Sequence, residues 1–423
     1  MNSTVLTFDA FMKERYTKEK IENLTLADRA AWAMTPKDGD VSGKVFVEPI
    51  IIGNPQGLGA TRAKAQAGAE QAGTGANVTG RDWNLTFGTY AGSVVIGEKV
   101  IRAARDDMGS FLRNQATEID GLYEAFADTF STYLYSDGGQ SVGSGTISTG
   151  VITLADPESM NNIHLGQILT ASADNGTGTG HALLGSGSVG YVIALNHAEG
   201  KFTVSTTSGG SAGTPSGWTG TMFFFRDGDF GGTATPNEIF KGFGAWIPDT
   251  APGATAFYGV DRTISDLLSG VRLTAAEVSG KGIEARLKLL CTRMRSRFKG
   301  PGATHIFLND EKWQALADSL EARGTRPLDG KVGTMSFSKL ELAMGGRKVE
   351  IYGDRFCPLG KAFALKLDTW KLRSYGPCPD VLKGDGLQML RKATSDDYEH
   401  RIVAFPTFST RAPSYNGVCS MPV

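Results

Sequence analysis

Two short motifs in the sequence have the spacing of chemical sites. Residues 139–143 read GQSVG and match GxSxG, in which a serine nucleophile lies on a turn between a strand and a helix. Residues 185–190 read GSGSVG and match the dinucleotide-binding pattern GxGxxG, which must open a helix. A helical pattern precedes Ser141, and the strand-like YVIALN follows the glycine loop. We therefore expect neither a catalytic serine nor a cofactor-binding loop.

The residue types that bind metals are scattered. The five histidines form no HExxH pair, and the four cysteines form no CxxC pair. Asp227 and Asp229 in DGDF begin like a calcium loop, but the later EF-hand ligands are missing. We expect no metal, no cofactor and no enzyme activity; the thiols are expected to be free and buried, with a zinc site as the less favoured alternative. The histidines are His164, His181, His197, His305 and His400, and the cysteines are Cys291, Cys357, Cys378 and Cys419.

A cluster of basic side chains lies within residues 283–299. It has two interpretations, contact with phosphate groups or an ordinary solvated or intersubunit helix face, and the second is favoured. The basic residues are Arg286, Lys288, Arg293, Arg295, Arg297 and Lys299.

The composition is that of a folded soluble protein. The chain has 423 residues, 40% hydrophobic and 21% charged, with a formal net charge of -1. That length suggests roughly two or three domains. The net charge provides no overall attraction to nucleic acid or to an anionic membrane. We expect no signal peptide, because the start MNSTVLTFDAFMKER lacks the basic and then apolar order of one. We expect no membrane span and no membrane partner, because no apolar run is long enough.

A long hairpin is predicted for residues 44–96. KVFVEPIII is strand-like, and Pro49 favours an edge position. In RDWNLTFGTY, Trp83, Leu85 and Phe87 alternate with polar residues. The connection between these strands is poor in large apolar residues. Because strands this apolar are costly to leave in solvent, contact with a partner is favoured over a disordered surface loop.

One very long helix is predicted for residues 97–136. Apolar residues recur there at spacings of three and four. Their burial is worth on the order of 15–30 kcal/mol, whereas Gly109 and Gly121 cost about 1 kcal/mol each. A rod of about 58 Å exceeds the width of a small domain, so we expect an elongated subunit or contacts outside the chain. A coiled-coil dimer is the less favoured alternative.

The rest of the chain divides into two parts. Residues 137–232 are rich in glycine, serine and threonine, with five short β-rich runs, which predicts an inserted β-sandwich or barrel. Residues 233–423 predict a mixed α/β domain, with helices near 283–299 and 310–320, the second capped by Asp310. Three strands are expected within residues 346–376, and one more in the last section.

The order of these elements resembles the tailed-phage major capsid protein family, whose fold is shared with encapsulins and the herpesvirus capsid floor. FVEPIIIGNPQGLGATRAKAQAG resembles the extended loop of that family, and GEKVIRAARDDMGSFLRNQATEIDGLYEAFADTFSTYLYSDGG resembles its spine helix. ITLADPESMNNIHLGQIL resembles the start of a β-rich insertion seen in one branch, and GRKVEIYGDRFCPLGKAFALKLDTWKLRSYG resembles the axial-domain hairpin.

The resemblance implies an α+β phage major capsid protein fold with peripheral and axial domains and an inserted β-rich domain. The expected parts are an N-terminal arm (1–43), an extended β-hairpin loop (44–96), a spine helix (97–136), the insertion (137–232), a peripheral and axial domain (233–377) and a closing segment (378–423).

The same resemblance implies self-assembly into hexamers and pentamers of an icosahedral virion that encloses double-stranded DNA. Assembly in the bacterial cytoplasm, with a scaffolding protein, a portal and a decoration protein as partners, is expected, as is non-specific DNA contact. Some family members crosslink a loop lysine to a neighbouring asparagine; Lys64 is the one candidate here, and no crosslink is predicted. The alternatives are an encapsulin-type compartment and, less favoured, a glycan-binding β-rich protein.

Overall fold

The computed structural model describes residues 29–55, 58, 60–70, 78–98, 108–177, 182–230, 239–298, 300–321, 328–332, 335–344, 347–382, 389–392 and 394–422. Predictions for most of the arm (1–28), for residues 99–107 of the long helix, and for His181 and Lys299 lie outside these ranges.

The N-terminal part places a short helix and then a hairpin on the body. Helix α1 (Ala30–Met34) is followed by strand β1 (Lys37–Asp38). Strands β2 (Phe46–Gly53) and β3 (Thr79–Leu85) then pair antiparallel, with a bulge at Ile51 and Gly53. The two strands of the predicted hairpin are therefore present.

The connections of the hairpin differ from the prediction. An alanine-rich helix, α2 (Arg62–Glu70), lies within the connection between the two strands, for which the sequence predicted no regular element. Strand β4 (Tyr90–Ile96) leaves the ribbon and pairs with residues 398–404, so the hairpin proper ends at Leu85.

The long helix is α3, Met108–Tyr135 in the described residues, which is about 42 Å at the usual rise. Phe126, Phe130 and Tyr133, which belong to the predicted apolar stripe, are buried in the core of the same chain. The C-terminal half of the stripe thus packs within the subunit and is not available for a coiled coil.

The insertion is a closed six-stranded barrel in the order β10-β5-β6-β9-β8-β7. Its own core contains Phe202, Trp218 and Phe224. The barrel that was one of the two predicted alternatives is therefore present, with one strand more than the sequence indicated. The strands are β5 (Gly143–Ser148), β6 (Val151–Leu154), β7 (Ile168–Ser172), β8 (Gly190–Asn196), β9 (Lys201–Ser205) and β10 (Thr221–Arg226).

The body is mixed α/β, as predicted. A seven-stranded sheet has the order β11-β22-β16-β12-β15-β14-β13. There are also two smaller sheets, one of β1-β17-β21 and one of β18, β20, β19 and β4. The helices are α4 (Phe243–Trp246), α5 (Ile283–Ser296) and α6 (Asp310–Glu321). The strands are β11 (Val271–Leu273), β12 (His305–Leu308), β13 (Leu328–Val332), β14 (Met335–Met344), β15 (Arg347–Gly353), β16 (Lys361–Leu365), β17 (Trp370–Ser374), β18 (Asp380–Val381), β19 (Met389–Arg391), β20 (Tyr398–Ala404), β21 (Pro406–Thr410) and β22 (Gly417–Ser420).

Two predictions for the body are wrong. Asp310 is the first residue of α6, and Asn309 caps the helix, because its side-chain oxygen accepts a hydrogen bond from the backbone N–H of Glu311 at 3.0 Å. The last section holds three strands, β20, β21 and β22, where one was expected, because consecutive apolar runs pair in three different sheets.

Among the described residues, no helix is long and apolar enough to span a bilayer.

Candidate assembly surface

Apart from Glu48, which points inward, the hairpin strand β2 is apolar on both faces. Its inward side chains, Phe46, Ile50 and Ile52, pack partly buried against the main core. The alternate side chains point outward and form a row that we call the hairpin stripe: Val45, Val47, Pro49 and Ile51. Because side chains alternate along a strand, one sequence presents both an anchored face and an open face.

The hairpin stripe is exposed to solvent in the single subunit. Val47 is 51% exposed and Ile51 is 68% exposed. Of the eight large hydrophobic side chains that are exposed in the described residues, five lie between positions 45 and 78. Those five are Val45, Val47, Ile51, Leu58 and Val78, and the others are Leu165, Ile264 and Leu382. Exposed apolar residues grouped in one segment mark an interaction surface.

A buried ion pair fastens the base of the hairpin to the body. Glu48 points inward, and its Oε1 lies 3.0 Å from Nη2 of Arg373 on β17. Ser409 on β21 donates a hydrogen bond to the other carboxylate oxygen of Glu48 at 2.8 Å. The guanidinium of Arg373 also stacks over the ring of Phe46, 4.5 Å from its centroid. Three contacts, made by β17 and β21, thus hold the first strand in place.

The second strand of the hairpin is fixed by an aromatic contact. Trp83 is fully buried, and its ring centroid lies 5.1 Å from that of Trp246 and 6.0 Å from that of Phe257, both edge-to-face. The backbone N–H of Asn84 donates to the carbonyl of Tyr258 at 3.0 Å. Both strands therefore have rigid bases, while the outer face is uncovered.

A second junction ties the N-terminal arm to the long helix. The carboxylate of Asp354 accepts hydrogen bonds from the N–H of Ala31, the hydroxyl of Tyr135 and the N–H of Phe356, at 2.9, 2.9 and 3.0 Å. Burial raises the pKa of Asp354 to about 6, although the backbone N–H donors lower it. Arg29 adds an ion pair to Asp128 of α3 at 2.7 Å. The arm is thus held by hydrogen bonds and by charge.

The matches to GxSxG and GxGxxG lie next to the secondary-structure elements that the sequence predicted. Ser141 stands between the end of α3 and strand β5, so a strand follows it. The glycine loop at 185–190 runs into strand β8. Neither place has the strand–turn–helix geometry on which a nucleophile elbow or a dinucleotide loop depends.

The candidate metal residues are not brought together in the part of the chain that the structure describes, where no cluster of three or more potential ligands occurs. His305 lies half-buried in β12, with Nδ1 2.8 Å from the Thr304 hydroxyl. Asp229 accepts a hydrogen bond from the hydroxyl of Tyr133. Cys291, Cys357 and Cys419 are buried free thiols, and Cys378 is partly buried.

Three of the six basic side chains of the cluster near α5 contact other groups of the same chain. Arg286 is buried and donates to the carbonyls of Lys281 and Ser420 at 2.7 and 2.9 Å. Arg293 pairs with Glu277 at 2.6 Å, and Lys288 pairs with Glu284. The buried Arg286 departs from the expected solvated or intersubunit face, whereas Arg295 and Arg297 are exposed on it. Lys64, in α2, is exposed.

No family model matches the chain, and no curated protein sequence matches it either. Comparison of the fold does find similar structures. The capsid asymmetric unit of cyanophage A-1(L) superposes with a TM-score of 0.52 at 10% sequence identity, over 97% of each chain.

Two further structures are similar at lower scores. An encapsulin complex from Synechococcus elongatus has a TM-score of 0.45 at 9% identity, over 99% of this chain and 95% of that one. The capsid of the myovirus XM1 has a TM-score of 0.43 at 10% identity, over 98% of each chain. The cyanophage structure, with the higher score, carries the assignment. With its anchored hairpin, long helix and α/β body, the chain has the fold of the tailed-phage major capsid protein family.

Proposed function

We propose that this chain is a major capsid protein that assembles into hexamers and pentamers of an icosahedral phage head enclosing double-stranded DNA. In this proposal the protein is structural and has no catalytic activity. It forms in the host cytoplasm with a scaffolding protein and a portal, becomes part of the virion, and receives a decoration protein there. It contacts the packaged DNA without sequence specificity and has no membrane partner.

The hairpin stripe is the observation that carries the proposal. Val47 and Ile51 are held outward by a base that is fixed to the body, so they cannot fold back onto their own subunit. Burying such side chains fully is worth roughly 1.5–3 kcal/mol each, and a second copy of the chain is the surface that we propose covers them. The cyanophage capsid that shares the fold supports this choice of partner.

Electron microscopy of the purified chain, with and without its scaffold, tests the proposal. Polyhedral particles are expected, and nuclease-protected DNA in particles from infected cells would separate a phage head from a compartment that holds protein cargo. A chain that stays monomeric at high concentration, even with its scaffold, would contradict the proposal.

A matched pair of variants tests the stripe itself. The double change Val47→Asp and Ile51→Asp should leave circular dichroism unchanged, because both positions are exposed, and should abolish particles, because charge is costly in an apolar contact. Leu165→Asp, at a position 66% exposed in the insertion, is the control and should assemble normally. Equal assembly by all three proteins would show that the stripe is not a contact.

A further inference from the structure

One end of the inserted barrel is polar inside. Along β10, Met222 and Phe224 point into the barrel core, and Arg226 follows them at the same two-residue period. On the neighbouring strand, Leu169 lies in that core and pairs in register with Arg226, and Gln167 comes two residues before Leu169. Arg226 and Gln167 therefore share the inward face at the same end of the barrel. We call these two residues and His164 the barrel mouth.

The barrel mouth contains buried nitrogens that have no hydrogen-bond partner. They are Nε and Nη2 of Arg226, Nε2 of Gln167 and Nε2 of His164. The backbone N–H of His164 donates to the side-chain oxygen of Gln167 at 2.8 Å, which places the Gln167 side chain beside the backbone of His164. A buried donor without a partner costs about 1–3 kcal/mol, and more when it is charged.

The two nitrogens of Arg226 form one edge of its guanidinium. Nε–H and Nη2–H point the same way, and this pair of parallel donors fits two oxygens of a carboxylate or a phosphate. A single water would accept at most two hydrogen bonds and would bring no negative charge to the guanidinium. An oxyanion supplies both the negative charge and enough acceptors for all three side chains.

The carboxylates around the barrel mouth have other hydrogen-bond partners, although burial raises the pKa of Asp229 and the charge of Arg226 opposes that shift. Asp229 accepts a hydrogen bond from the hydroxyl of Tyr133, and Asp128 pairs with Arg29 at 2.7 Å. Burial lowers the pKa of His164, and the charge of Arg226 lowers it further while Asp128 opposes the shift, which leaves the imidazole neutral and able to donate one hydrogen bond. Asp227, next to Arg226 in sequence, is exposed.

We infer that the barrel mouth binds a small inorganic oxyanion of the phosphate or sulfate class. The side-on edge of Arg226 would hold two oxygens, and Gln167 and His164 would each donate one hydrogen bond. The site lies where the barrel meets the long helix, so the bound anion would stiffen this junction. The inference does not depend on the proposed function.

Calorimetric titration of the full chain with phosphate, with sulfate and with chloride, at constant ionic strength, tests this inference. Phosphate or sulfate should bind and raise the melting temperature, and chloride should have a smaller effect. Arg226→Met should weaken binding by at least about tenfold, the loss of a charge-assisted pair of hydrogen bonds. Arg411→Met removes an arginine that is 60% exposed and distant in sequence, and it should bind as the wild type does.

Two more variants decide the case if Arg226→Met does not fold. Arg226→Lys keeps the charge and loses the side-on edge of the guanidinium. Gln167→Met removes the amide donor and keeps a side chain of similar size. Both variants should bind the oxyanion more weakly than the wild type does. Equal binding by wild type, Arg226→Lys and Gln167→Met, or no oxyanion binding by the wild type, would overturn the inference and leave water as the occupant.

Discussion

Glu48 and Arg373 form a buried ion pair that joins the hairpin to the body, although 325 positions separate them in the sequence. The side chains are 12% and 7% exposed, so both charges are largely removed from water. Removing one partner of such a pair leaves the other charge buried and uncompensated.

Glu48→Met should therefore lower the free energy of unfolding by about 3 kcal/mol, measured by denaturant titration. The double change Glu48→Met and Arg373→Met should recover part of that loss, because an apolar pair replaces the charges. Lys348→Met is the control, since Lys348 is 82% exposed in its pair with Glu341. This substitution should lower the free energy of unfolding by less than about 1 kcal/mol. Equal losses at Glu48 and Lys348 would contradict the anchoring role of the buried pair.

Asp354 should make stability depend on pH. Its pKa is raised from 3.8 to about 6 in the folded chain, so the folded state holds its proton more tightly than the unfolded state does. The resulting stability is fully present below about pH 4 and is lost as the pH rises through about 6. A shift of two pKa units corresponds to roughly 3 kcal/mol.

Asp354→Asn is the variant that checks this dependence. It removes the titration and adds an offset that does not change with pH. The difference in unfolding free energy between wild type and variant should change between pH 4 and 7. The wild type should become less stable relative to the variant as the pH rises. A constant difference across this range would contradict the assignment.

Gly121 should be a position where the long helix can be stabilised. It lies exposed within α3, and an added Cβ would meet nothing within 4 Å. Gly121→Ala should raise the melting temperature and add about 1 kcal/mol, because glycine is a poor helix former. Gly138→Ala should have the opposite effect, since Gly138 has a φ of +98° just beyond the helix. A loss of stability at Gly121 would indicate that the helix needs its glycine.

Gly242 should tolerate no side chain. A Cβ there would overlap the backbone carbonyls of Tyr133 and Leu134 at the end of α3. Gly242→Ala should cost at least about 2 kcal/mol by denaturant titration, because the helix end would have to move. Gly253→Ala is the control, since its Cβ would meet nothing within 4 Å. Similar stability of the two variants would show that the contact at Gly242 can relax.

The periodic spacing of apolar residues predicted the strands and helices whose signal lies within a short stretch of sequence. The alternation at Trp83 and Leu85 predicted a strand with one buried face, and both residues are fully buried in β3. The run TMFFFRD predicted a barrel strand, and the spacing of Phe126 and Phe130 predicted a buried helix face. Each depends on a period that is visible within ten residues.

Long-range pairing was not visible in the sequence. The last section of the sequence predicted a single apolar strand, but the chain changes sheets at Phe405, so that β20 pairs with β4 and β21 pairs with β17. The barrel mouth was also missed. Its signal is the appearance of Arg226 at an inward position of an otherwise apolar strand, and only the register with Leu169 shows where that side chain lies.

The anchored base of the hairpin has a consequence for how copies of the chain would meet. Because the ion pair lies within one molecule, the hairpin is preorganised before two subunits meet. Little conformational entropy would then be lost when subunits bind, and the rate of shell assembly would be set by collisions between folded subunits.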